Sequence, residues 1–337
     1  MRVLAMLHLY PPHHNAGAEW MVHPMLRALA QQGHAVDVLL SRPVDGVTAP
    51  YRLDEITVHP YRGKGDPVGW LLDDARRPDV LVTHLENVPR ATILGRLYGV
   101  PVVHIVHNDH EVTRSWLVDD AALVVFNSAW IAEQTPHPRG IIVPPPVHAG
   151  DYATTPGDSV TLINLCEAKG AATFYALAER FPDVPFLGVV GAYFDQVRRD
   201  DLPNVQIVEH VSGDAMREQV YARTKVLLMP SEYESYGRVG VEAMHSGIPV
   251  IAHPTPGLRE SLGAAGAFVD RHDVEAWAKT LRRLLTPRGW SAASKRARAR
   301  VAELDPAADL ARWVTAVEQL AGKSLSWSSA RSESGQR

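Results

Sequence analysis

Short runs of β-branched residues alternate with longer stretches of helical periodicity along most of the chain. An apolar run over residues 2–9 comes first, and apolar residues then recur at helical spacing from Ala18 to Gln32, where Gly33 ends the pattern. This alternation is typical of a parallel sheet whose strands are joined by helices. It predicts an α/β fold, with further strands near residues 35–40, 79–83, 101–106, 121–126, 159–164, 185–190, 205–208, 225–229, 249–252 and 266–269.

The alternation is interrupted once, by the sequence VPPPV at residues 143–147. Three consecutive prolines remove backbone donors and fix φ, so they continue neither a central strand nor a helix. A chain of 337 residues is also long for a single hydrophobic core. We therefore expect two domains, at residues 1–147 and 148–305, followed by a helix over 306–322 and a flexible tail over 323–337.

The composition excludes several classes of partner. With 34 basic and 38 acidic side chains, the net charge of −4 argues against a protein that binds nucleic acid. No apolar run is long enough to span a membrane. Eight basic residues lie between Lys279 and Arg300, and they indicate either a peripheral contact with lipid phosphates or an ordinary solvated helix face. The single cysteine and the lack of a signal-peptide pattern predict a cytoplasmic protein.

Polar side chains cluster where the predicted strands end. In parallel sheets, ligands bind beyond the carboxyl ends of the strands. The segments found there in this chain are residues 15–19, 107–110, 127–128, 167–170 and 231–238. Their convergence at one edge of each sheet predicts a ligand site.

The most informative of these segments is PSEYESYGRVGVEAMHSGIPVIAH, residues 230–253. A helix that starts near Arg238 presents unpaired N–H groups and the positive end of its dipole, which suit a diphosphate, and Gly237 allows close backbone approach. Glu234 and Glu242 repel phosphate but accept hydrogen bonds from sugar hydroxyls. The alternative for an isolated pair is a solvated loop residue and a surface helix residue, but the apolar run after Glu242 predicts a buried carboxylate with a partner.

The string ESYGRVGVE followed by AMHSGIPVIA resembles the E-x7-E signature of family 4 glycosyltransferases. The resemblance extends over GHAV after the first helix, the Lys169-Gly170 turn and the TPGLRE loop, to about residue 320. It implies the GT-B fold, in which two Rossmann-like domains face each other across a cleft and a C-terminal helix crosses back to the first domain.

By this resemblance, three side chains carry the chemistry: Glu234 contacts the donor sugar, Lys169 pairs with the diphosphate, and His107 lies beside the reacting sugar. For His107 the alternative is a structural histidine at a strand end. By the same resemblance Glu242 holds the ribose, and backbone groups of the turn from Ser235 to Val239 meet the diphosphate and the sugar. The donor-binding positions that it implies are Gly17, Asn164, Val211, Ser235, Tyr236, Gly237, Arg238, Val239 and Glu242. Asp109 and His110 are expected on the acceptor side.

Two positions depart from the family pattern. Ala18 stands where the family usually has a second glycine, and Asn164 stands where it has an arginine before the lysine. Arg238 is a candidate to supply the missing charge; an exposed residue at a helix start is the alternative.

The reaction implied by the resemblance is transfer of a sugar, with retention, from a nucleotide diphosphate sugar to a small molecule or glycan. A UDP-sugar is the default donor, and without a D-x-D triplet no metal or cofactor is expected. Three alternatives stay open: a non-catalytic nucleotide-sugar binder, a phosphorylase or epimerase on the same donor site, and a metallohydrolase built on His104, His107, Asp109 and His110. The last is disfavoured, since residues three apart in a strand point to opposite faces.

Overall fold

The computed structural model describes residues 1–63, 66–117 and 121–333, and within the last helix it describes side chains up to Ala321. The chain divides into two compact units. The first unit consists of Met1–Pro146 and Ala307–Arg337, and the second unit is Val147–Pro306.

The described part of the first unit holds an eight-stranded sheet in the order β3-β4-β2-β1-β5-β6-β7-β8. The strands are β1 Arg2–Leu7, β2 Ala35–Leu40, β3 Tyr51–Leu53, β4 Ile56–His59, β5 Val80–His84, β6 Val102–Val106, β7 Leu123–Phe126 and β8 Gly140–Ile142. The helices are α1 Gly17–Gln31, α2 Asp66–Leu72, α3 Val88–Tyr98, α4 Glu111–Ser115 and α5 Ala129–Gln134, with a 3-10 turn at Leu85–Asn87. Within this sheet, β3 pairs antiparallel with β4 and the other described pairs are parallel.

The described part of the second unit holds a six-stranded parallel sheet in the order β11-β10-β9-β12-β13-β14. Its strands are β9 Ser159–Ile163, β10 Phe186–Val189, β11 Val205–Val208, β12 Thr224–Met229, β13 Val250–Ala252 and β14 Ala267–Phe268. Its helices are α6 Ala149–Tyr152, α7 Ala171–Arg180, α8 Met216–Gln219, α9 Arg238–His245, α10 Pro256–Leu262, α11 Val274–Leu285 and α12 Pro287–Glu303. Further 3-10 turns lie at Glu167–Lys169, Gly213–Ala215, Tyr221–Arg223 and Gly263–Ala265.

Side-chain caps define where several helices begin. The hydroxyl of Thr255 accepts from the amide of Leu258 at the start of α10, and the carboxylate of Asp273 accepts from the amide of Ala276 at the start of α11. Such caps satisfy amides that have no partner within the helix.

The predicted α/β fold with parallel sheets is confirmed.

The last helix, α13 Pro306–Glu333, belongs almost entirely to the first unit. Its Trp313 is fully buried and donates its indole N–H to the carbonyl oxygen of Met25, 2.8 Å away. The sequence predicts that this helix ends near Gly322, but the structure continues it to Glu333. Neither proline nor a further glycine interrupts residues 323–333, so the backbone has no reason to leave the helix at Gly322. The last four residues of the predicted tail lie outside the described part.

Candidate functional site

The loop after β12 brings the predicted lysine and the first predicted glutamate together. Nζ of Lys169 lies 2.5 Å from Oε1 of Glu234, and the hydroxyl of Ser231 donates to the same oxygen at 2.9 Å. Both side chains are partly covered, with 27% of Lys169 and 15% of Glu234 exposed. A lysine has three N–H donors, so pairing with Glu234 leaves donors for an anionic ligand.

The start of α9 lies four residues after Glu234 in the sequence. Gly237 precedes the helix with φ of 81°, and no side chain caps the first turn from this position. The turn is held from the other side by Gly257, where a Cβ would lie 2.3 Å from the carbonyl oxygen of Glu234. A helix start without a capping side chain presents its amides and the positive end of its dipole to an anion.

Gly237 and Gly17 form a matched pair for testing this geometry. We expect Gly237→Ala to destabilise the protein by about 2–4 kcal/mol, because a Cβ in the left-handed region is strained and overpacks its surroundings. That Cβ would lie 2.3 Å from Cδ2 of Leu258, whereas a Cβ on Gly17 meets nothing within 4 Å. Gly17→Ala should therefore leave the urea denaturation midpoint unchanged or slightly raised. Equal losses in the two variants would contradict this prediction.

The second predicted glutamate is buried in a polar cluster. Glu242 is 4% exposed; its Oε1 lies 3.1 Å from Nε of Arg238 and its Oε2 accepts from the hydroxyl of Tyr221 at 2.5 Å. Arg238 also donates to the hydroxyl of Tyr152 at 2.7 Å. Burial lowers the pKa of Arg238, but the Glu242 carboxylate and the two phenols outweigh it, so the net pKa is raised. This arrangement holds the Glu242 carboxylate in place as a hydrogen-bond acceptor.

Asn164, at the position of the missing family arginine, takes part in a different network. It has φ of 71°, and its Oδ1 accepts from Nε2 of Gln196 at 2.8 Å. Oε1 of Gln196 in turn accepts from the amides of Leu165 and Gly191, at 3.0 and 2.8 Å. Gln196 thus connects the loop after β9 to the loop after β10 by hydrogen bonds. The guanidinium of Arg238, the candidate for the missing charge, contacts Glu242 and Tyr152 instead.

The other predicted donor-binding residues fall into two groups. Tyr236 and Val211 are buried in the core of the second unit, and Val239 packs against that core, so we expect these residues to present backbone groups to a ligand. Ser235 is intermediate in exposure and lies in the turn that Gly257 contacts.

In the first unit, His107 follows β6 and is 8% exposed. Its Nε2 lies 2.9 Å from Nδ1 of His84, and the side chain of Asn127 donates to its carbonyl oxygen at 2.9 Å. Burial, together with the neighbouring His104 and His8, lowers the pKa of His107 to about 3, so the ring is neutral at physiological pH. Because Nε2 is bonded to His84, Nδ1 is the ring nitrogen that can bond a hydroxyl, as donor or acceptor according to the tautomer.

The remaining predicted residues of this unit lie in loops and at helix starts. Asp109 is intermediate in exposure, His110 is exposed just before α4, and Gly17 is the exposed first residue of α1. The amide of His110 donates to Oδ1 of Asn108 at 3.1 Å.

In the part of the chain that the structure describes, the four residues of the metallohydrolase alternative do not come together as a metal-binding group. His104 is fully buried within β6, and neither ring nitrogen has a hydrogen-bond partner there. Val103 and Ile105 pack in one core cluster whereas Val102 and Val106 pack in others, as strand alternation requires. The potential ligand atoms that lie within 4.8 Å of one another are instead those of His8, Glu19 and His84.

Sequence reasoning missed three kinds of residue. His8 and His84 each stand at the carboxyl end of a strand, as His107 does, and this shared position is a signal that the sequence carries. Gln196 carries no local motif. Arg271 follows β14 in the sequence and donates to the carbonyl oxygen of Glu167, 3.1 Å away, in the turn that contains Lys169. Only the fold brings these distant residues together.

The basic run noted in the sequence occupies α11 and α12, where Lys279, Arg283 and Lys295 are exposed. Within the described residues, no helix has the length and apolar character needed to cross a membrane.

Two family models match the chain. The model described as Glycosyltransferase Family 4 matches residues 15–163, and the model described as Glycosyl transferases group 1 matches residues 171–287. The first match runs through the proline-rich segment at residues 143–147 to the end of β9, and the second match begins with α7.

Similar proteins are glycosyltransferases as well. Glycogen synthase of Mycobacterium tuberculosis is 26% identical over 89% of this chain and 89% of its own length. The D-inositol 3-phosphate glycosyltransferase of Corynebacterium urealyticum is 32% identical over 35% of this chain, which spans only 30% of that relative. The solved structure of Anabaena HepE in complex with UDP-glucose is similar with a TM-score of 0.74 and 16% identity, covering 95% of this chain and 100% of that chain. This structural likeness establishes the fold.

Proposed function

The chain belongs to the group 1 and family 4 glycosyltransferases of GT-B fold, and from this premise we propose that it moves a sugar, with retention of configuration, from a nucleotide diphosphate sugar to a small-molecule or glycan acceptor. The observation that carries the proposal is the Lys169–Glu234 pair next to the start of α9, with its left-handed Gly237. A cation and helix amides suit a diphosphate, and a carboxylate suits the sugar attached to it.

In the proposed reaction, the bond between the anomeric carbon and the diphosphate oxygen breaks on the face where the acceptor hydroxyl attacks. The acceptor oxygen forms the new bond to the anomeric carbon, and its proton passes to the departing diphosphate. Lys169 and the first amides of α9 stabilise the charge that develops on that diphosphate. The reaction uses no protein nucleophile and, as we propose it, no metal ion.

The remaining side chains bind and orient the substrates. Glu234 accepts hydrogen bonds from the donor sugar, and Glu242, held by Arg238 and Tyr221, accepts them from the ribose. His107 contacts a sugar hydroxyl. A uridine nucleotide is the donor we propose first, because HepE was solved with UDP-glucose.

Ligand-dependent unfolding tests the donor proposal. We expect UDP and a UDP-sugar to raise the melting temperature of the full chain more than GDP or ADP do, because a ligand that binds only the native state stabilises it. At about a hundred times its Kd, a nucleotide contributes about 2.7 kcal/mol. A matched Gly237→Ala variant should respond less. Equal responses to UDP, GDP and ADP would contradict the uridine proposal, and no response to any nucleotide would contradict the function.

Product analysis separates transfer from binding alone. Asn164 in place of the family arginine, bonded to Gln196, is the observation that favours a non-catalytic nucleotide-sugar binder as the second candidate. A binder would show the melting shift with a UDP-sugar but release no UDP in the presence of acceptors. Release of UDP together with a glycosylated product supports the transferase, and the anomeric configuration of that product tests retention.

A further inference from the structure

Three adjacent strands of the first unit each end in a histidine. The sheet order places β1, β5 and β6 side by side, and they are followed or ended by His8, His84 and His107. The parallel register aligns their carboxyl ends, since Met6 pairs with Thr83 and His84 pairs with Ile105. The fold therefore lines up three imidazoles along one edge of the sheet.

These rings form a continuous line that ends on a buried carboxylate. Nε2 of His107 lies 2.9 Å from Nδ1 of His84, and Nε2 of His84 lies 3.3 Å from Nδ1 of His8. Nε2 of His8 lies 3.1 Å from Oε1 of Glu19, which α1 supplies. Glu19 is 1% exposed and His84 is fully buried, so this part of the line is shielded from water.

The same groups include a set of close ligand atoms, those of His8, Glu19 and His84. A single metal ion would need one nitrogen of His8 to face both other ligands. In the structure His8 presents Nδ1 to His84 and Nε2 to Glu19. This arrangement matches a chain of hydrogen bonds better than a coordination sphere.

We propose that Glu19, acting through His8 and His84, sets the tautomer of His107. With Glu19 ionised, Nε2–H of His8 donates to Glu19, and Nδ1 of His8 then accepts from Nε2–H of His84. Nδ1 of His84 must likewise accept from Nε2–H of His107. Each neutral imidazole has one proton, so His107 is left with Nδ1 as an acceptor.

Protonation of Glu19 reverses every bond in the line. The carboxylic O–H donates to Nε2 of His8, the intervening protons move to Nδ1, and His107 then carries its proton on Nδ1. Burial raises the pKa of Glu19 to about 7 and lowers the pKa of His8 to about 4, which keeps the proton exchange at the carboxylate end.

Other charged groups act on the line from neighbouring elements. Nε2 of His14 lies 3.9 Å from Oε2 of Glu19, the carboxylate oxygen outside the line. Glu86, His14 and Arg42 act on His8, and His104 acts on both His84 and His107. Glu86 is bound by Arg42, with Nε of Arg42 2.6 Å from its Oε1, and it takes no place in the line. It therefore offers a control that changes the local charge without breaking the chain of hydrogen bonds.

The consequence for function is that Glu19, His8 and His84 are positioning residues for His107. The proposed function gives His107 a hydrogen bond to a sugar hydroxyl, and the tautomer decides whether Nδ1 accepts or donates that bond. This consequence rests on the proposed function, whereas the tautomer itself is a property of the protein without substrate.

Nitrogen NMR of the histidine rings tests the tautomer directly in the full chain. The His107 signals are assigned by their loss in His107→Asn. We expect the wild type to change from an Nδ1–H to an Nε2–H pattern between about pH 6 and about pH 8, one unit on either side of the Glu19 pKa. Glu19→Gln should abolish this change, and Glu86→Gln should retain it.

Kinetics test the consequence. Glu19→Gln is expected to lower kcat for transfer about tenfold, the effect of one misdirected neutral hydrogen bond, with little change in the KM for the donor. The idea is overturned by a His107 spectrum that is the same in wild type and Glu19→Gln across this pH range, or by stoichiometric zinc in the purified protein. If no donor is turned over, the proposed function fails, but the spectra still decide the tautomer proposal.

Discussion

Replacing Lys169 by methionine is expected to lower the rate of sugar transfer by about a hundredfold to a thousandfold, the usual loss when one donor to a developing negative charge is removed. Methionine keeps the length and apolar stem of lysine but removes the ammonium that faces Glu234 at 2.5 Å. The loss should appear in kcat more than in the KM for the donor, because the charge on the diphosphate grows as the sugar leaves.

The control is Lys279→Met on the exposed surface of α11, which removes the same charge away from the loop after β12. Its kcat should match the wild type. Glu234→Gln in the Lys169→Met background should lower the rate further, because in the proposed function this carboxylate binds the donor sugar independently of Lys169. Full activity of Lys169→Met would exclude a role for this lysine in catalysis and would remove the observation on which the proposed function rests.

The part of the site that the sequence predicts is the part governed by a local rule. Lys169 and Glu234 follow the neighbouring strands β9 and β12, and ligands bind beyond the carboxyl ends of such strands. The apolar run after Glu242 indicates burial, and the structure leaves 4% of that residue exposed. The sequence analysis does not identify the partners of Glu242, which are Arg238 and Tyr221. Arg238 lies four residues before Glu242 in the same helix, so helical spacing alone could have indicated that pair.

What the sequence does not predict depends on strand order. His8, His84 and His107 meet because β5 inserts between β1 and β6, and nothing local fixes that order. The antiparallel pair β3 and β4 was missed for a different reason: β3 is short and has no buried residue, and β4 alternates buried and partly exposed residues over only four positions.

The hypothesis that Arg238 replaces the family arginine at Asn164 meets a physical constraint. Its side chain is 10% exposed, and its guanidinium is shared between the Glu242 carboxylate and the Tyr152 hydroxyl and ring. To reach a diphosphate, this cation would have to leave a carboxylate that is itself buried. We therefore expect Arg238 to serve mainly by holding Glu242, and restoring arginine at Asn164 in an Arg238→Ala variant should not recover turnover.

Arg238→Met is accordingly expected to cost about 3–5 kcal/mol of stability, the usual loss when one partner of a buried ion pair is removed. The double variant Arg238→Met/Glu242→Gln should recover most of this loss, because no uncompensated charge is then buried. Urea denaturation of the full chain measures both, and Arg283→Met on the exposed face of α11 is the matched control. If Arg238→Met were as stable as that control but lost transfer activity, the guanidinium would act on the substrate and the constraint argued above would be wrong. If instead the double variant regains stability but not UDP binding, the Arg238–Glu242 pair is needed to hold the nucleotide.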